Sequence, residues 1–160
     1  MTRVGLGYDV HRLAAGRDLV LGGITIPWPE GLEGHSDADV LTHAVMDALL
    51  GAAGLGDIGV HFPPSDERWR NARSLDLLAI VRDLLPVGWT IENIDATILA
   101  EAPKIGPYRE AMRAALAGVL GIAPERVNIK ATTNERLGFI GRGEGIAALA
   151  SAALRPSGGE

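Results

Sequence analysis

Three of the four histidines lie in the first 43 residues, and one of them follows an aspartate by two positions. On an extended strand, Asp9 and His11 would point to the same face, with their side chains about 6 to 7 Å apart. His43 follows in a segment with helical periodicity. One aspartate and two histidines would bind a divalent metal and leave a fourth position open. An open position is more typical of a catalytic metal than of a structural one.

The surroundings of His43 allow two interpretations. Asp39 and Asp47 lie one helical turn to either side of it, away from apolar positions such as Leu41. A carboxylate in such a place could orient the imidazole of a metal ligand. Taken alone, however, a histidine off the apolar stripe of a helix is more often a surface residue.

Other polar residues stand where they could bind an anion. Residues 35–37, His-Ser-Asp, directly precede the His43 helix, where Ser36 could cap the helix and His35 could donate a hydrogen bond. Thr132, Thr133 and Glu135 offer hydroxyls and a carboxylate at the end of a predicted strand. That arrangement suits a phosphate bound together with Mg²⁺ or Mn²⁺, although a threonine pair in a strand is more often structural.

Strand and helix patterns alternate in the order β-α-β-α-β, which predicts an α/β fold. Residues 146–154 are too rich in alanine for periodicity to assign. The predicted elements are a strand over 2–9, a hairpin over 18–26 turning at Gly22-Gly23, a helix over 37–51 burying one face, a loop over 51–66, a helix over 74–85 with Ser74 as N-cap, a strand over 90–100, a helix from 107 to 121 and a strand over 127–132.

Composition limits the function. A chain of 160 residues with 47% apolar content suits one domain, over residues 1–155, with a flexible tail over 156–160. Without cysteine, a transition metal must be bound by histidines and carboxylates. A net charge of −5 argues against nucleic acid, whose binding depends on a basic surface. No segment approaches a membrane span, and the first twenty residues lack the apolar core of a signal peptide, so the expected location is cytoplasmic.

Taken together, seven motifs resemble those of the 2-C-methyl-D-erythritol 2,4-cyclodiphosphate synthase family, in the same order and from about residue 2 to residue 155. Each motif alone would be a modest clue, whereas the combination is specific. The matching segments are residues 7–11 (GYDVH), 34–39 (GHSDAD), 43–51 (HAVMDALLG), 56–59 (GDIG), 102–104 (APK), 130–135 (KATTNE) and 138–145 (GFIGRGEG).

The resemblance implies a phosphorus–oxygen lyase of the non-mevalonate isoprenoid pathway. Such an enzyme converts 4-diphosphocytidyl-2-C-methyl-D-erythritol 2-phosphate into the 2,4-cyclodiphosphate and releases CMP. By the family pattern, Asp9, His11 and His43 match the zinc ligands, and Glu135 matches a ligand of a second ion, Mg²⁺ or Mn²⁺, bound with the substrate diphosphate. His35 and Thr133 match positions that stabilise the transition state.

The resemblance also carries over the substrate contacts. Pro64 departs from the aspartate common at its position, which puts one ribose contact in doubt, and Asn134 stands where threonine is frequent. The matching positions are Ser36, Asp57, Ile58, Gly59, Phe62, Pro63, Ser65 and Asp66 around the methylerythritol and ribose, Ala100, Ala102, Pro103, Lys104, Ile105 and Gly106 in the cytidine pocket, and Thr132, Asn134, Phe139 and Arg142.

The family's fold is expected here as well: a ferredoxin-like α/β (α+β) subunit with a sheet packed against helices, assembled as a homotrimer with active sites between subunits. Residues 146–154 would then form a strand, and the resemblance implies a central cavity in the trimer that could hold an isoprenoid. Two other functions stay open from the residues. One is a zinc-dependent phosphate-ester hydrolase, and the other is a noncatalytic trimer that binds isoprenoid diphosphates.

Overall fold

Strands and helices alternate along the chain in the computed structural model, which describes residues 1–158. Three short 3₁₀ turns, at Glu67–Trp69, Gly106–Tyr108 and Pro124–Arg126, complete the described secondary structure. The strands are β1 (Arg3–Ala15), β2 (Leu19–Leu21), β3 (Ile24–Ile26), β4 (Glu30–Leu32), β5 (Trp89–Leu99), β6 (Val127–Thr132) and β7 (Gly145–Pro156), and the helices are α1 (Val40–Ala53), α2 (Ile58–His61), α3 (Ser74–Leu84), α4 (Arg109–Leu120) and α5 (Gly138–Gly141).

A five-stranded mixed sheet in the order β4-β1-β7-β5-β6 forms the framework. β7 runs antiparallel to both β1 and β5, and β5 and β6 are parallel. Parallel neighbours need a crossover connection, which α4 supplies between β5 and β6. The principal elements therefore follow the order β-α-β-α-β-β, with both α1 and α3 in the first connection. Because the ferredoxin-like fold follows β-α-β-β-α-β, the expected likeness to it does not extend to the connections between strands.

The alanine-rich segment that periodicity could not assign forms β7, in the middle of the sheet between β1 and β5. Small side chains suit that position because α1 packs closely over β1 and β7. β1 is six residues longer at its C-terminal end than predicted, since it also pairs with β4. The last strand ends at Pro156, inside the predicted tail, whose residues 159 and 160 lie outside the described part of the chain.

Two glycines allow α1 to lie directly against β1. A Cβ atom at Gly5 would stand 2.0 Å from the Ala48 carbonyl oxygen, and one at Gly7 would stand 1.9 Å from that of Ala44. No real Cβ approaches backbone this closely, so a side chain at either position would push the helix away from the strand. This close approach holds the Asp9 end of β1 against the His43 turn of α1.

The Gly7→Ala variant is therefore expected to unfold more easily by about 1 to 3 kcal/mol, the usual cost of overpacking. Gly51→Ala is a matched control on α1, because a Cβ there would meet only ordinary contacts at 3.7 Å or more. Alanine also favours the helix over glycine, so the control is expected to be neutral or slightly stabilising. Urea unfolding midpoints of the metal-free proteins test both, and equal stability of Gly7→Ala and the parent would contradict the prediction.

The face of the sheet opposite α1 carries apolar side chains in the open. Val4, Leu6, Tyr8 and Val10 alternate with the buried glycines of β1 and are 66%, 79%, 53% and 39% exposed. Leu149 of β7, the cross-strand partner of Tyr8, is 48% exposed. Contiguous exposed apolar surface of this kind usually marks an interface. Among residues 1–158, no helix has the combined length and apolar character that crossing a bilayer demands.

Candidate metal centre and active site

Asp9, His11 and His43 converge at one point between β1 and α1. The Asp9 Oδ2 atom lies 2.9 Å from His11 Nε2 and 3.0 Å from His43 Nδ1. The two ring nitrogens are 3.2 Å apart. Ligand atoms of a tetrahedral zinc ion, with bonds of about 2.0–2.1 Å, lie roughly 3.3–3.4 Å from one another. The three residues thus form a possible metal site, and the predicted shared face of Asp9 and His11 is confirmed.

The hydrogen bonds around the site leave electron pairs aimed at its centre. His11 Nδ1 lies 2.7 Å from the Glu33 carbonyl oxygen, which can only accept, so the proton of a neutral His11 ring sits on Nδ1. The Nε2 lone pair of His11 then faces Asp9 and His43. A carboxylate and an unprotonated nitrogen pointing at each other repel unless a cation or a proton lies between them. This donor set fits a divalent metal whose histidine ligands are oriented by outer hydrogen bonds.

Charge and burial shift the pKa values of two of these groups. Burial raises the pKa of Asp9, but hydrogen bonds from His11 and His43 outweigh that effect and hold the pKa at about 2. Burial lowers the pKa of His11, but the hydrogen bond and negative charge of Asp9 together raise it above its ordinary value. The carboxylate is therefore ready to bind a cation at any ordinary pH, whereas a proton competes for His11.

Metal affinity is expected to fall as the pH is lowered from about 8 to 5, because a metal must displace the proton from His11. The raised pKa of His11 means that this competition begins at a higher pH than for an ordinary histidine. Asp9 stays ionised over the whole range. Below the pKa of His11, each pH unit should cost about tenfold in affinity for one displaced proton. Cobalt titrations at several pH values test this, and an affinity that stayed constant down to pH 5 would contradict it.

The acidic neighbours of His43 on α1 have other roles than the one considered from the sequence. Asp39 is the N-cap of α1 and accepts hydrogen bonds from Gly22, Gly23 and Thr42, so it joins the β2–β3 turn to the helix. Asp47 accepts from the Ile58 amide and anchors α2. Burial raises the pKa of both carboxyls. Neither makes a hydrogen bond to the His43 ring, so their predicted orienting role was wrong.

The prediction that α1 buries one face only was also wrong. Twelve of its fourteen residues are buried, among them His43. The sheet covers one side of the helix, and α3, α2 and the preceding loop cover the other. A position off the apolar stripe is therefore still inside the protein here. This placement excludes the alternative interpretation of His43 as a surface residue.

A cleft of about 200 Å³ opens beside the three ligands. Five residues that the family resemblance predicted to contact substrate or transition state line it: His35, Ser36, Ile58, Gly59 and Phe62. Its remaining wall is formed by Pro64, which stands at the family's ribose-contact position, and by Met46, Trp69 and Leu77, which the sequence did not predict at the site.

Four predicted contacts lie near this cleft in the sequence without lining it. Asp57 is the N-cap of α2, and Asp66 is the N-cap of the 3₁₀ turn that follows and pairs with Arg68. The Arg68 hydrogen bonds lower the pKa of Asp66. Pro63 and Ser65 belong to the connection between α2 and that turn. The predicted loop over 51–66 thus contains the short helix α2, capped by Asp57, and ends at Asp66, which caps the 3₁₀ turn that follows.

A second group of predicted residues gathers at the carboxyl ends of β5 and β6, which are adjacent parallel strands. The Ala100 amide donates to the Thr132 carbonyl, and a cis peptide joins Ala102 to Pro103. Glu101, which the sequence did not single out, accepts from the Asn134 and Arg136 amides and ties the two loops together. This group consists of residues Ala100, Ala102, Pro103, Lys104, Ile105, Gly106, Thr132, Thr133, Asn134 and Glu135.

The two groups lie apart in one chain. None of the second group lines the metal cleft. Asp9 is separated from the β6 position of Ala131 by three strand spacings across the sheet, through Ala148 and Ile98. At about 4.8 Å per spacing, this is roughly 14 Å between backbones.

The glycine-rich segment over residues 138–145 forms α5 and the turn before β7. Phe139 on α5 is 41% exposed. Arg142 pairs with Glu144 at 2.7 Å, and this contact raises the pKa of the arginine. Both side chains stand outside the metal cleft.

The chain is similar to known proteins over nearly its whole length. A family model described as the YgbB family matches residues 2–155. The 2-C-methyl-D-erythritol 2,4-cyclodiphosphate synthase of Symbiobacterium thermophilum is 64% identical over 152 residues, which are 94% of this chain and 97% of that protein. The protein of the same name from Desulfatibacillum aliphaticivorans is 61% identical over 153 residues, 95% of this chain and 99% of that one.

Solved structures of similar proteins have the same fold as this chain. The bifunctional IspDF of Campylobacter jejuni aligns with a TM-score of 0.94 and 44% identity over 98% of this chain, which spans 42% of that longer protein. IspF of Plasmodium falciparum, solved as a complex with CDP, aligns with a TM-score of 0.85 and 33% identity over 97% of this chain and 96% of that one. The chain therefore belongs to the YgbB family, together with the 2-C-methyl-D-erythritol 2,4-cyclodiphosphate synthases that match it over nearly their whole length.

Proposed function

We propose that this protein is a lyase that converts 4-diphosphocytidyl-2-C-methyl-D-erythritol 2-phosphate into 2-C-methyl-D-erythritol 2,4-cyclodiphosphate and CMP. The observation that carries the proposal is the Asp9, His11 and His43 centre on a cleft that His35 and Ser36 also line. Relatives that are 61–64% identical over nearly the whole chain carry this enzyme name.

The reaction needs no nucleophile from the protein. An oxygen of the substrate's own 2-phosphate attacks the β-phosphorus, a new P–O bond closes the ring, and the bond to the CMP phosphate breaks. The protein has to fold the substrate so that attacking and leaving oxygens are in line, and an intramolecular attack can contribute about 7–11 kcal/mol in favourable cases. His35 and Thr133 would donate hydrogen bonds to phosphoryl oxygens that gain charge in the transition state.

Two divalent ions belong to the proposal. Asp9, His11 and His43 would hold zinc, and Glu135 would hold Mg²⁺ or Mn²⁺ together with the substrate diphosphate. Bound ions of this kind polarise phosphoryl oxygens and neutralise the charge that develops on them. Glu135 lies three residues beyond the end of β6 in a left-handed backbone conformation, with φ of 51°, and it is exposed.

The lining of the metal cleft fits a substrate that is a small branched sugar alcohol. Met46, Phe62 and Leu77 present an apolar surface beside the polar centre, and Trp69 packs edge-on against Phe62 with ring centroids 5.1 Å apart. The methyl-bearing carbon chain of the substrate would lie on this surface while its phosphates reach the metal. Cytidine would bind at residues 100–106, and Thr132, Asn134, Phe139 and Arg142 would complete the substrate contacts.

The active form would be a homotrimer with each site between two subunits. The separation of the metal cleft from the strand-end residues within one chain supports this, because a neighbouring subunit could bring its own strand-end residues to the cleft. The exposed face around Leu6, Tyr8 and Leu149 supports an apolar subunit interface. A single domain over 1–155 with a tail over 156–160, a cytoplasmic location and an isoprenoid in the central cavity also stay predictions.

A ³¹P NMR experiment tests the function. Purified protein with zinc, magnesium and the diphosphocytidyl substrate should yield CMP and a cyclic diphosphate in equal amounts. Linear phosphates with free inorganic phosphate would favour the zinc hydrolase. Unchanged substrate despite bound metal would favour the noncatalytic isoprenoid-diphosphate-binding trimer.

A further inference from the structure

The outer side of the His43 ring contacts two serine hydroxyls. Its Nε2 atom lies 2.9 Å from Ser74 Oγ and 3.2 Å from Ser36 Oγ. Ser74 is fully buried at the first position of α3. Its predicted role as N-cap was wrong, since Arg73 occupies that position, and its hydroxyl is directed to other partners.

The direction of the hydrogen bonds follows from a count of protons. Ser74 Oγ carries one proton and contacts an oxygen of the Asp37 carboxylate, which as a carboxylate can only accept. The proton of Ser74 therefore points to Asp37. The contact between Ser74 Oγ and His43 Nε2 can then be a hydrogen bond only if Nε2 donates. In a neutral ring with the proton on Nε2, Nδ1 carries no proton and can bind a metal. In the metal-free protein, the Asp9 carboxylate 3.0 Å from Nδ1 competes with Ser74 for the ring proton.

Asp37 is itself held firmly. Its Oδ2 accepts from the Ser74 amide at 2.9 Å, and its Oδ1 accepts from the Asp39 amide at 3.2 Å. Its own amide donates to the Ala72 carbonyl, and the Asn71 amide donates to the His35 carbonyl. The segment with His35 and Ser36 is thus joined to the start of α3 at the point where the Ser74 hydroxyl meets the His43 ring.

We infer that Asp37 and Ser74 are positioning residues for the metal centre: through a chain of two hydrogen bonds they select the His43 tautomer that leaves Nδ1 free to bind the metal. The inference rests on the metal site proposed above. A consequence concerns Ser36, which lines the cleft. Since His43 Nε2 donates, it takes no proton from Ser36, and the Ser36 hydroxyl keeps its proton for a ligand in the cleft.

Substitution of Ser74 by alanine tests the chain of hydrogen bonds. Ser74→Ala is expected to weaken binding of Zn²⁺ or Co²⁺ about 10- to 100-fold, the usual effect of removing an outer partner of a metal ligand. Thr42→Val is the matched control, because the Thr42 hydroxyl is also fully buried and also donates to a carboxylate, that of Asp39 at 2.7 Å, but makes no contact with the His43 ring. The control is expected to keep the parent's affinity. Equal losses in the two variants would overturn the inference in favour of a general effect on stability.

Asp37→Asn tests the direction of the hydrogen bonds that link Asp37, Ser74 and His43. With its carbonyl oxygen accepting from the Ser74 amide, at 2.9 Å the shorter of the two amide contacts of Asp37, the asparagine would turn its NH₂ group toward Ser74 Oγ and give up the 3.2 Å hydrogen bond from the Asp39 amide. Ser74 would then have to donate to His43 Nε2, which would place the ring proton on Nδ1 and block the metal. An aspartate that orients a histidine directly shows the same sensitivity to asparagine.

Long-range ¹⁵N–¹H spectra of the metal-free proteins read the tautomer directly, at a pH near 8 where an ordinary histidine is neutral. Because the Asp9 carboxylate can accept a proton from Nδ1, the prediction is a shift in the tautomer ratio. The fraction of neutral His43 that is protonated on Nε2 should be equal in the parent and Thr42→Val, and it should fall in favour of the Nδ1 form in Ser74→Ala and Asp37→Asn. An unchanged tautomer in both Ser74→Ala and Asp37→Asn would overturn the inference. This result is independent of the metal site, whose failure would instead appear as a parent protein that binds no metal.

Discussion

The His43→Ala variant is expected to lose its zinc and at least about 10³-fold in turnover while keeping its fold. A divalent metal at this centre would stabilise the transition state by several kcal/mol, and each 1.4 kcal/mol or so corresponds to about a tenfold change in rate. Within residues 1–158, His43 is one of three side chains that could bind a metal at this centre, and without it Asp9 and His11 would hold a metal weakly. Metal content after dialysis and the rate of CMP release measure the two effects.

The fold is expected to survive because the apolar side chains of α1 that pack on β1 and β7 are untouched. Circular dichroism and thermal unfolding of the metal-free proteins check this. His61→Ala is a suitable control for metal content, since the His61 ring hydrogen-bonds to the Leu55 carbonyl and lies outside the ligand group. A folded His43→Ala protein with full zinc and full activity would refute the ligand assignment.

Mixing two inactive variants is expected to restore activity if each site lies between subunits. His43→Ala damages the metal cleft, and Glu135→Ala damages the strand-end group about three strands away. In a ring of head-to-tail contacts, each site combines the cleft of one subunit with the strand ends of the next. A one-to-one mixture that exchanges subunits freely should therefore regain about a quarter of the parent's sites.

The experiment needs subunit exchange, which partial denaturation and joint refolding provide. Each variant refolded alone is the control and should stay inactive. A double variant carrying both changes is mixed with the parent to measure the extent of subunit exchange. Sites formed between a parent subunit and a double-variant subunit are inactive, so the activity falls as exchange proceeds. A joint refold that exchanged subunits but regained no activity would place the whole site within one chain and contradict the proposed arrangement.

Local spacing in the sequence was enough to predict several features of this site. Asp9 and His11 share a face because side chains on a strand alternate with a period of two, whatever the rest of the fold does. The β2–β3 turn at Gly22-Gly23 forms for a similar reason, because both residues take positive φ angles that glycine adopts without strain. The helix around His43 follows from apolar periodicity. Each of these depends on neighbours within a few positions.

The other features of the site depend on contacts between residues that are distant in the chain. Periodicity placed His43 off the apolar stripe, and only the packing of α1 between the sheet and α3 buried it. Its tautomer depends on Ser74, 31 residues away, whose local pattern suggested a helix cap instead. The alanine-rich β7 has no periodic signal because α1 covers one of its faces and its other face carries small residues as well.

The separation of the metal cleft from the strand-end residues is the clearest example of a feature that only the tertiary structure decides. The sequence supplied the residue types for metal, phosphate and cytidine, and a resemblance ordered them into one reaction. Where each group lies depends on the strand order β1-β7-β5-β6, which inserts two strands between Asp9 and the residues after β6. Chemistry follows from side-chain identity and short spacing, which a sequence states directly. Placement follows from strand order and helix packing, which depend on the burial of surfaces that come together only in the folded chain.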